Sequence, residues 1–226
     1  MAVTTAKTAW DNAVRYVKNY GANADHRFLA MNAANQRFHL AAPWRWSLGS
    51  LSETNLADNT QDYTIASPPS DYLYLHQVRK WAGGQWQTPL QVVATLPTTT
   101  NVLASPTQVT VFNDGALKYR VYPKPTGQGT NPTVLIGDYK RSTTLITSGN
   151  ESTASILLFP DDYYYVYELF VFHYALMHAH DNRAGTAQIG PSGVAYTGVL
   201  AEAIAALAEI QQREMQSYNS EGTVAR

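Results

Sequence analysis

The sequence predicts an α+β protein: a four-helix core, two helices from each end of the chain, with an antiparallel β domain inserted between them. Three observations predict it. The apolar period is helical near both ends and falls to two in the middle, between about residues 60 and 140. Glycine, proline and asparagine punctuate the middle at short intervals. The stretch from Phe159 to Asp181, FPDDYYYVYELFVFHYALMHAHD, carries one charge, Glu168, between Tyr163 and Met177, so its helix is apolar on most of its circumference. Such a helix needs cover on most sides. It is too short and too rich in tyrosine to span a bilayer, which takes about 20 apolar residues. The domain boundaries follow: 1–47 and 157–226 for the helical core, 48–156 for the β domain.

Taken in order, Thr8 to Tyr20 reads as a helix with Trp10, Val14 and Val17 on one face and Gly21 as its stop. Asp25 is placed to cap a second helix over about 26–42. Its apolar sides are Phe28, Met31 and Phe38, and Leu29, Ala33 and Leu40, and Pro43 ends it. In Trp44-Arg45-Trp46 the two indoles point to opposite faces if the chain is extended. Leu48 to Thr60 is polar and irregular. Strand patterns follow at Tyr63–Ile65, Leu73–Val78, Leu90–Leu96 and Thr133–Tyr139, with Gly83-Gly84 as a turn. The clearest hairpin joins Val109–Phe112 to Leu117–Tyr122 through Asn113-Asp114-Gly115, where positive φ is tolerated. Pro160 suits a first helical turn, and Asp161 and Asp162 complement its positive end. The aromatic helix then has two stripes: Tyr163, Val166, Tyr167, Phe170, Tyr174 and Met177, and Tyr165, Leu169, Phe172 and Leu176. Residues 182–198 hold several glycines and a proline and read as a flexible connection. A last helix over about 199–218 carries Leu200, Ile204, Leu207 and Gln211 on one stripe, and the tail from Asn219 to Arg226 has no core-forming pattern.

Chemistry is sparse. His178 and His180 lie about 200° apart around a helix, and His173 and His180 share a face but stand roughly 10 Å apart along it. No zinc-protease motif and no cysteine is present, so no metal site, no cofactor and no enzymatic role is expected. Asp58 and Asp62 lie in a polar loop, and the glycines of Gly127-Gln128-Gly129 read as a turn. Asn150-Glu151-Ser152 fits the glycosylation pattern, but residues 1–20 contain no secretory apolar run, and we expect a protein made and used in the host cytosol or in a particle assembled there. The net charge of −1 supplies no global field for nucleic acid or membrane. Charged residues make up 15%, against roughly 25% in an average domain, which suits burial against partner proteins and predicts self-association. Trp81 and Trp86 bracket the Gly83-Gly84 turn as a candidate contact for a partner, a sugar or a base, with packing in the hairpin as the plainer role.

The order of pieces resembles the head-to-tail connector adaptors of tailed bacteriophages, the gatekeeper and tail tubular proteins. Two N-terminal helices ending in an aromatic-x-aromatic step (Trp44-Arg45-Trp46), the segment SDYLYL (Ser70–Leu75), the strand pair Leu117–Pro125 and IGDYKR (Ile136–Arg141), and the Phe159-Pro160-Asp161-Asp162-Tyr163 entry into a helix continuing through Ala175 and Ala179 to Arg183 carry the resemblance. The third helix is more aromatic here than is usual in that family. The resemblance implies a virion protein assembled in the host cytoplasm: a ring, on the order of twelve copies, docked below the portal, its helices walling a channel through which double-stranded DNA passes without specific contact. It implies that the tail Tyr218, Asn219, Ser220, Glu221, Gly222, Thr223, Val224, Ala225 and Arg226 reaches the portal. It also implies that the β domain meets tail, nozzle or fibre proteins through Trp81 and Trp86. Packing within and between subunits falls to Trp44, Trp46, Tyr163, Tyr167, Phe170 and Tyr174. No membrane partner is implied. The alternatives are another virion or tail structural protein, a module binding carbohydrate or a host surface, and, last, an enzyme using His178 or His180.

Overall fold

The computed structural model describes residues 5–17, 24–191 and 193–221, and the side chains at 24, 25 and 217–221 lie outside the description. The described residues form the α-helices α1 (Ala6–Val14), α2 (Ala24–Leu40), α3 (Tyr164–His178) and α4 (Gly198–Glu221). Ten strands run in chain order: β1 (Leu48–Ser50), β2 (Thr54–Asn55), β3 (Asp62–Thr64), β4 (Tyr72–Ala82), β5 (Gln85–Val92), β6 (Gln108–Asn113), β7 (Leu117–Tyr122), β8 (Val134–Arg141), β9 (Ala187–Gly190) and β10 (Gly193–Tyr196). The chain divides into two compact units, 1–47 with 143–226, and 48–142.

The expected architecture, a four-helix core carrying an inserted antiparallel β domain, is corrected. Eight strands form one sheet in the order β1-β8-β4-β5-β6-β7-β3, with β2 also on β8. This sheet has a hydrophobic core of its own, including Leu51, Leu56, Ile65, Val78, Val109, Tyr119, Val121 and Leu135. It is a principal body of the molecule, on a par with the helices. The sequence reading underweighted it because β1 and β2, in the polar stretch 48–60, are three and two residues long and exist only through their pairing with β8. A pattern so short carries no period. The sheet is also not wholly antiparallel: β5 and β6 pair in parallel at Gln91↔Gln108 and Val92↔Val109. The long connection between them lets the chain return in the same direction.

In the helical unit α3 packs against α1, α2 and α4. Val166, Tyr167, Phe170, Val171, His173, Ala175 and Leu176 of α3 are all buried. Around them lie Ala6, Ala9, Trp10 and Ala13 of α1, Ala30, Met31, Ala34 and Phe38 of α2, and Leu200, Ala203, Leu207 and Ile210 of α4. Small residues on the neighbours let an aromatic helix be approached closely. A few expected apolar positions face outward: Leu29 and Leu40 of α2, and Tyr165 and Met177 of α3, are exposed.

Local chemistry fixes several ends. Thr5 caps α1, its Oγ1 accepting from the Thr8 N–H at 3.1 Å. α1 ends at Val14 and not at Tyr20; residues 18–21, including the expected stop at Gly21, lie outside the described residues, as does the side chain of Asp25. The Trp44–Trp46 pair is not extended. Arg45–Ser47 form a 3₁₀ turn, and the two indoles stack with centroids 5.9 Å apart and planes at 11°. α4 runs to Glu221, so Asn219, Ser220 and Glu221 are helical and do not belong to an irregular tail, while 222–226 lie outside the described residues.

The connection 182–198, expected to be flexible, is an ordered antiparallel hairpin of β9 and β10. Its root is built around two positive-φ glycines. A Cβ on Gly185 (φ +79°) would stand 1.7 Å from the Thr197 carbonyl oxygen, and one on Gly198 (φ +57°) 2.5 Å from that of Arg183. Only glycine fits there.

Candidate interaction surfaces

Among the described residues no group of three His, Cys, Asp or Glu is placed to hold a metal ion, and no helix is long and apolar enough to cross a membrane. Of the three histidines in and just after α3, His173 and His178 are spent on packing and His180 is exposed. His173 is buried, and its Nδ1 lies 2.8 Å from the Ala184 carbonyl oxygen, so that nitrogen carries the proton. Burial pushes its pKa down, with the Arg37 charge acting the same way and the Ala184 bond opposing. His178 stacks on His26 at 5.0 Å and 14°. Its pKa is also lowered, by burial first and then by His26 and His180. Glu168 accepts from the Asn12 amide at 2.5 Å, tying α3 to α1 within one subunit. Asp62 is engaged by Arg120 through two bonds of 2.7 Å, which staple β3 to β7. Asn150 clamps its own loop, accepting from the Thr147 N–H and donating to the Leu145 carbonyl, and Glu151 is buried against Arg27 at 2.6 Å.

The residues nominated for packing divide by depth. Trp44, Tyr167 and Phe170 are fully buried. The Trp44 Nε1–H donates to the Phe38 carbonyl at 2.8 Å, and the Arg37 guanidinium lies 5.5 Å over the Phe170 ring. Tyr167 donates to the Met31 carbonyl at 3.4 Å. Trp46 is half-buried against Phe38, His39 and Phe159, and Tyr174 half-buried against His173. Tyr163 donates to Glu214 of α4 at 2.7 Å, and burial together with that carboxylate raises its pKa to about 12. These side chains are brought together inside one subunit.

Trp81 and Trp86 are brought together elsewhere, on the sheet. They face each other across the β4–β5 register, ring centroids 5.0 Å apart and edge to face, and the Arg79 guanidinium lies 5.1 Å over Trp86. Arg79 is itself held by two bonds to Asp138 of β8, at 2.8 and 2.9 Å. The indoles stay 37% and 51% exposed, a rigid aromatic step beside a cleft of about 500 Å³ whose lining includes Asn55, Gly84, Asn131 and Pro132. Leu73, Tyr74 and Val92 add exposed apolar surface on the same sheet. Of the nominated tail, Tyr218–Glu221 continue the helical backbone of α4, and nothing further about the tail falls within the described side chains.

The sequence reading missed the β9–β10 arm. Ile189 is 90% exposed and Val194 51%, and the two are cross-strand partners in register. The usable signal was the alternation in AQIG and GVAY on either side of a Pro-containing turn, outweighed by four glycines.

Comparison with known families states what kind of protein carries these surfaces. A family model of phage adaptor proteins matches residues 4–225. The class is thus a structural adaptor of the phage virion, which works between head and tail proteins. The family is the SU10 adaptor protein family, and the chain belongs to it. No curated protein matches the sequence.

Proposed function

We propose that this adaptor is of the gatekeeper or tail tubular type: a closed ring, on the order of twelve copies, seated below the portal and joining the capsid to the tail. Membership of the adaptor family over residues 4–225 carries the reading. Its physical support is the exposed apolar surface of the single chain, with Leu29, Leu40, Met177, Ile189 and Met215 in the helical unit and Trp86, Leu73 and Tyr74 on the sheet all open. The paired indoles of Trp81 and Trp86 are the kind of aromatic step that anchors protein contacts.

In this reading the helices wall a DNA channel. A net charge of −1 lets DNA slide, because each phosphate contact would add salt-dependent affinity. The C-terminal end of α4, with the residues that follow it to Arg226, reaches the portal. The Trp81–Trp86 step meets a tail, nozzle or fibre protein. Assembly takes place in the host cytoplasm, the role is structural and not enzymatic, and no cofactor takes part. Electron microscopy of the purified chain mixed with its portal tests this. Stacked rings of portal and adaptor are expected. Persistent single chains with no portal-bound density overturn it.

A further inference from the structure

We propose that the β9–β10 hairpin is an assembly arm that seats Ile189 and Val194 in the groove between α1 and α3 of a second copy of this chain. The inference rests on the ring reading above and names the contact that would build it.

The arm's root and blade are built differently. At the root, Thr197 donates its N–H to the Thr186 carbonyl at 3.0 Å, and the Thr186 N–H donates to Thr197 Oγ1 at 3.0 Å. Gly185 and Gly198 lock against each other's neighbours, leaving no space for a side chain. Arg183, just before the root, pairs with Asp181 and donates to the Tyr16 carbonyl at 3.0 Å. The blade has no such support: all of β9 is exposed, and in β10 only Tyr196 is half-buried. A two-stranded hairpin alone in water is marginally stable. A root that aims the blade, with Tyr196 as its inner anchor on the helical core, and a tip whose Ile189 and Val194 stay open among the described residues, point to a packing partner outside the subunit. Holding the blade in a fixed direction beforehand lowers the cost of binding.

The arm's chemistry selects the occupant. From Gly185 to Gly198 there is no charged residue, so neither a phosphate backbone nor an anionic membrane attracts it. Ile189 and Val194 lie directly opposite in register, so they present a single apolar knob on one face. The helical unit carries a matching hole. A groove of about 520 Å³ lies between α1 and α3, its apolar lining drawn from Ala13, Tyr16, Tyr165, Leu169 and Phe172. Its charged lining residues, Arg15 and Glu168, are of opposite sign, so the groove, like the arm, has no net charge. A knob and a hole at different places on one subunit make a head-to-tail contact, the kind that closes into rings.

The chain has no cysteine, so introduced thiols report single contacts. Ile189→Cys and Tyr165→Cys variants are mixed under assembling conditions and treated with a short thiol-to-thiol cross-linker. The mixture is expected to give a covalent dimer at least tenfold more abundant than either variant alone. Ile189→Asp with Val194→Asp, at positions that bear no load in the subunit, is expected to weaken self-association at least tenfold with an unchanged circular dichroism spectrum. Rings that form normally in the double-Asp variant, or Ile189→Cys cross-linking to itself as well as to Tyr165→Cys, overturn the arm and leave the ring standing. A wild-type chain that stays monomeric at every concentration overturns both.

Discussion

Gly137 sits on β8 beneath Tyr119, which is fully buried. A Cβ at Gly137 would meet the Tyr119 hydroxyl oxygen at 2.1 Å and Leu51 and Leu75 at 3.1 Å. Gly137→Ala is therefore expected to lower stability by about 1–3 kcal/mol through overpacking, read as a fall in the thermal midpoint. An unchanged midpoint would show that the ring can move aside. Lys140, three residues on, is fully buried, and burial lowers its pKa from 10.5 to about 8. The folded chain then binds fewer protons than the unfolded one between pH 8 and 10.5. The penalty is complete below pH 8, shrinks as pH rises and is gone above 10.5. Lys140→Met, which keeps the stem, is expected to gain about 1–3 kcal/mol at pH 7 and nothing near pH 11, by chemical denaturation at the two pH values. A loss of stability at pH 7 would mean the ammonium is better served where it sits than in water. Neither residue was legible in advance. A glycine in a strand pattern and a lysine in IGDYKR look ordinary until the strand's neighbours are known, because the contacts that constrain them are on β1, β4 and β7.

At the scale of elements, α3 holds the helical unit together, and Tyr167 is one of its fully buried rings. Tyr167→Ala is expected to cost about 3–5 kcal/mol, measured as a shift in the denaturant midpoint, while Tyr165→Ala, on the exposed side, changes little. Equal effects at the two positions would contradict the packing described. The start of α2 and the end of α3 meet at the His26–His178 stack. Burial and the neighbouring imidazoles lower the His178 pKa below its ordinary 6.5. The folded state thus resists protonation. The stability it contributes is full above pH 6.5 and is lost as pH falls below that value. The wild type is expected to lose stability on acidification more steeply than His178→Gln. Parallel pH profiles for the two would show that the stack carries no such linkage. α3 was legible because its apolar run has no other explanation, and the β6–β7 hairpin because Asn-Asp-Gly names its own turn. β1 and β2 were not, since two or three residues show no period, and the β9–β10 arm was not because its glycines outweighed a short alternation. The parallel β5–β6 pairing was hidden because a loop's length does not state where it returns.

For the whole molecule, the layout of the pieces carried more information than any residue. Trp44-Arg45-Trp46, SDYLYL, IGDYKR and FPDDY are short, and each alone is weak, but their order along the chain pointed to phage adaptors, and family membership over residues 4–225 agrees. The weight given to the sheet did not survive, because alternating strands separated by turns do not announce how many join one sheet. What an assembly needs from its subunit is surface that water leaves willingly, and the single chain has it at the Trp81–Trp86 step, on the outer sides of α2 and α3, and at Ile189. Native mass spectrometry of the purified 226-residue chain tests the central claim most directly. The account predicts one dominant closed species at a fixed integer multiple, on the order of twelve, of the 24.9 kDa chain. A 24.9 kDa monomer as the dominant species at every concentration would contradict it.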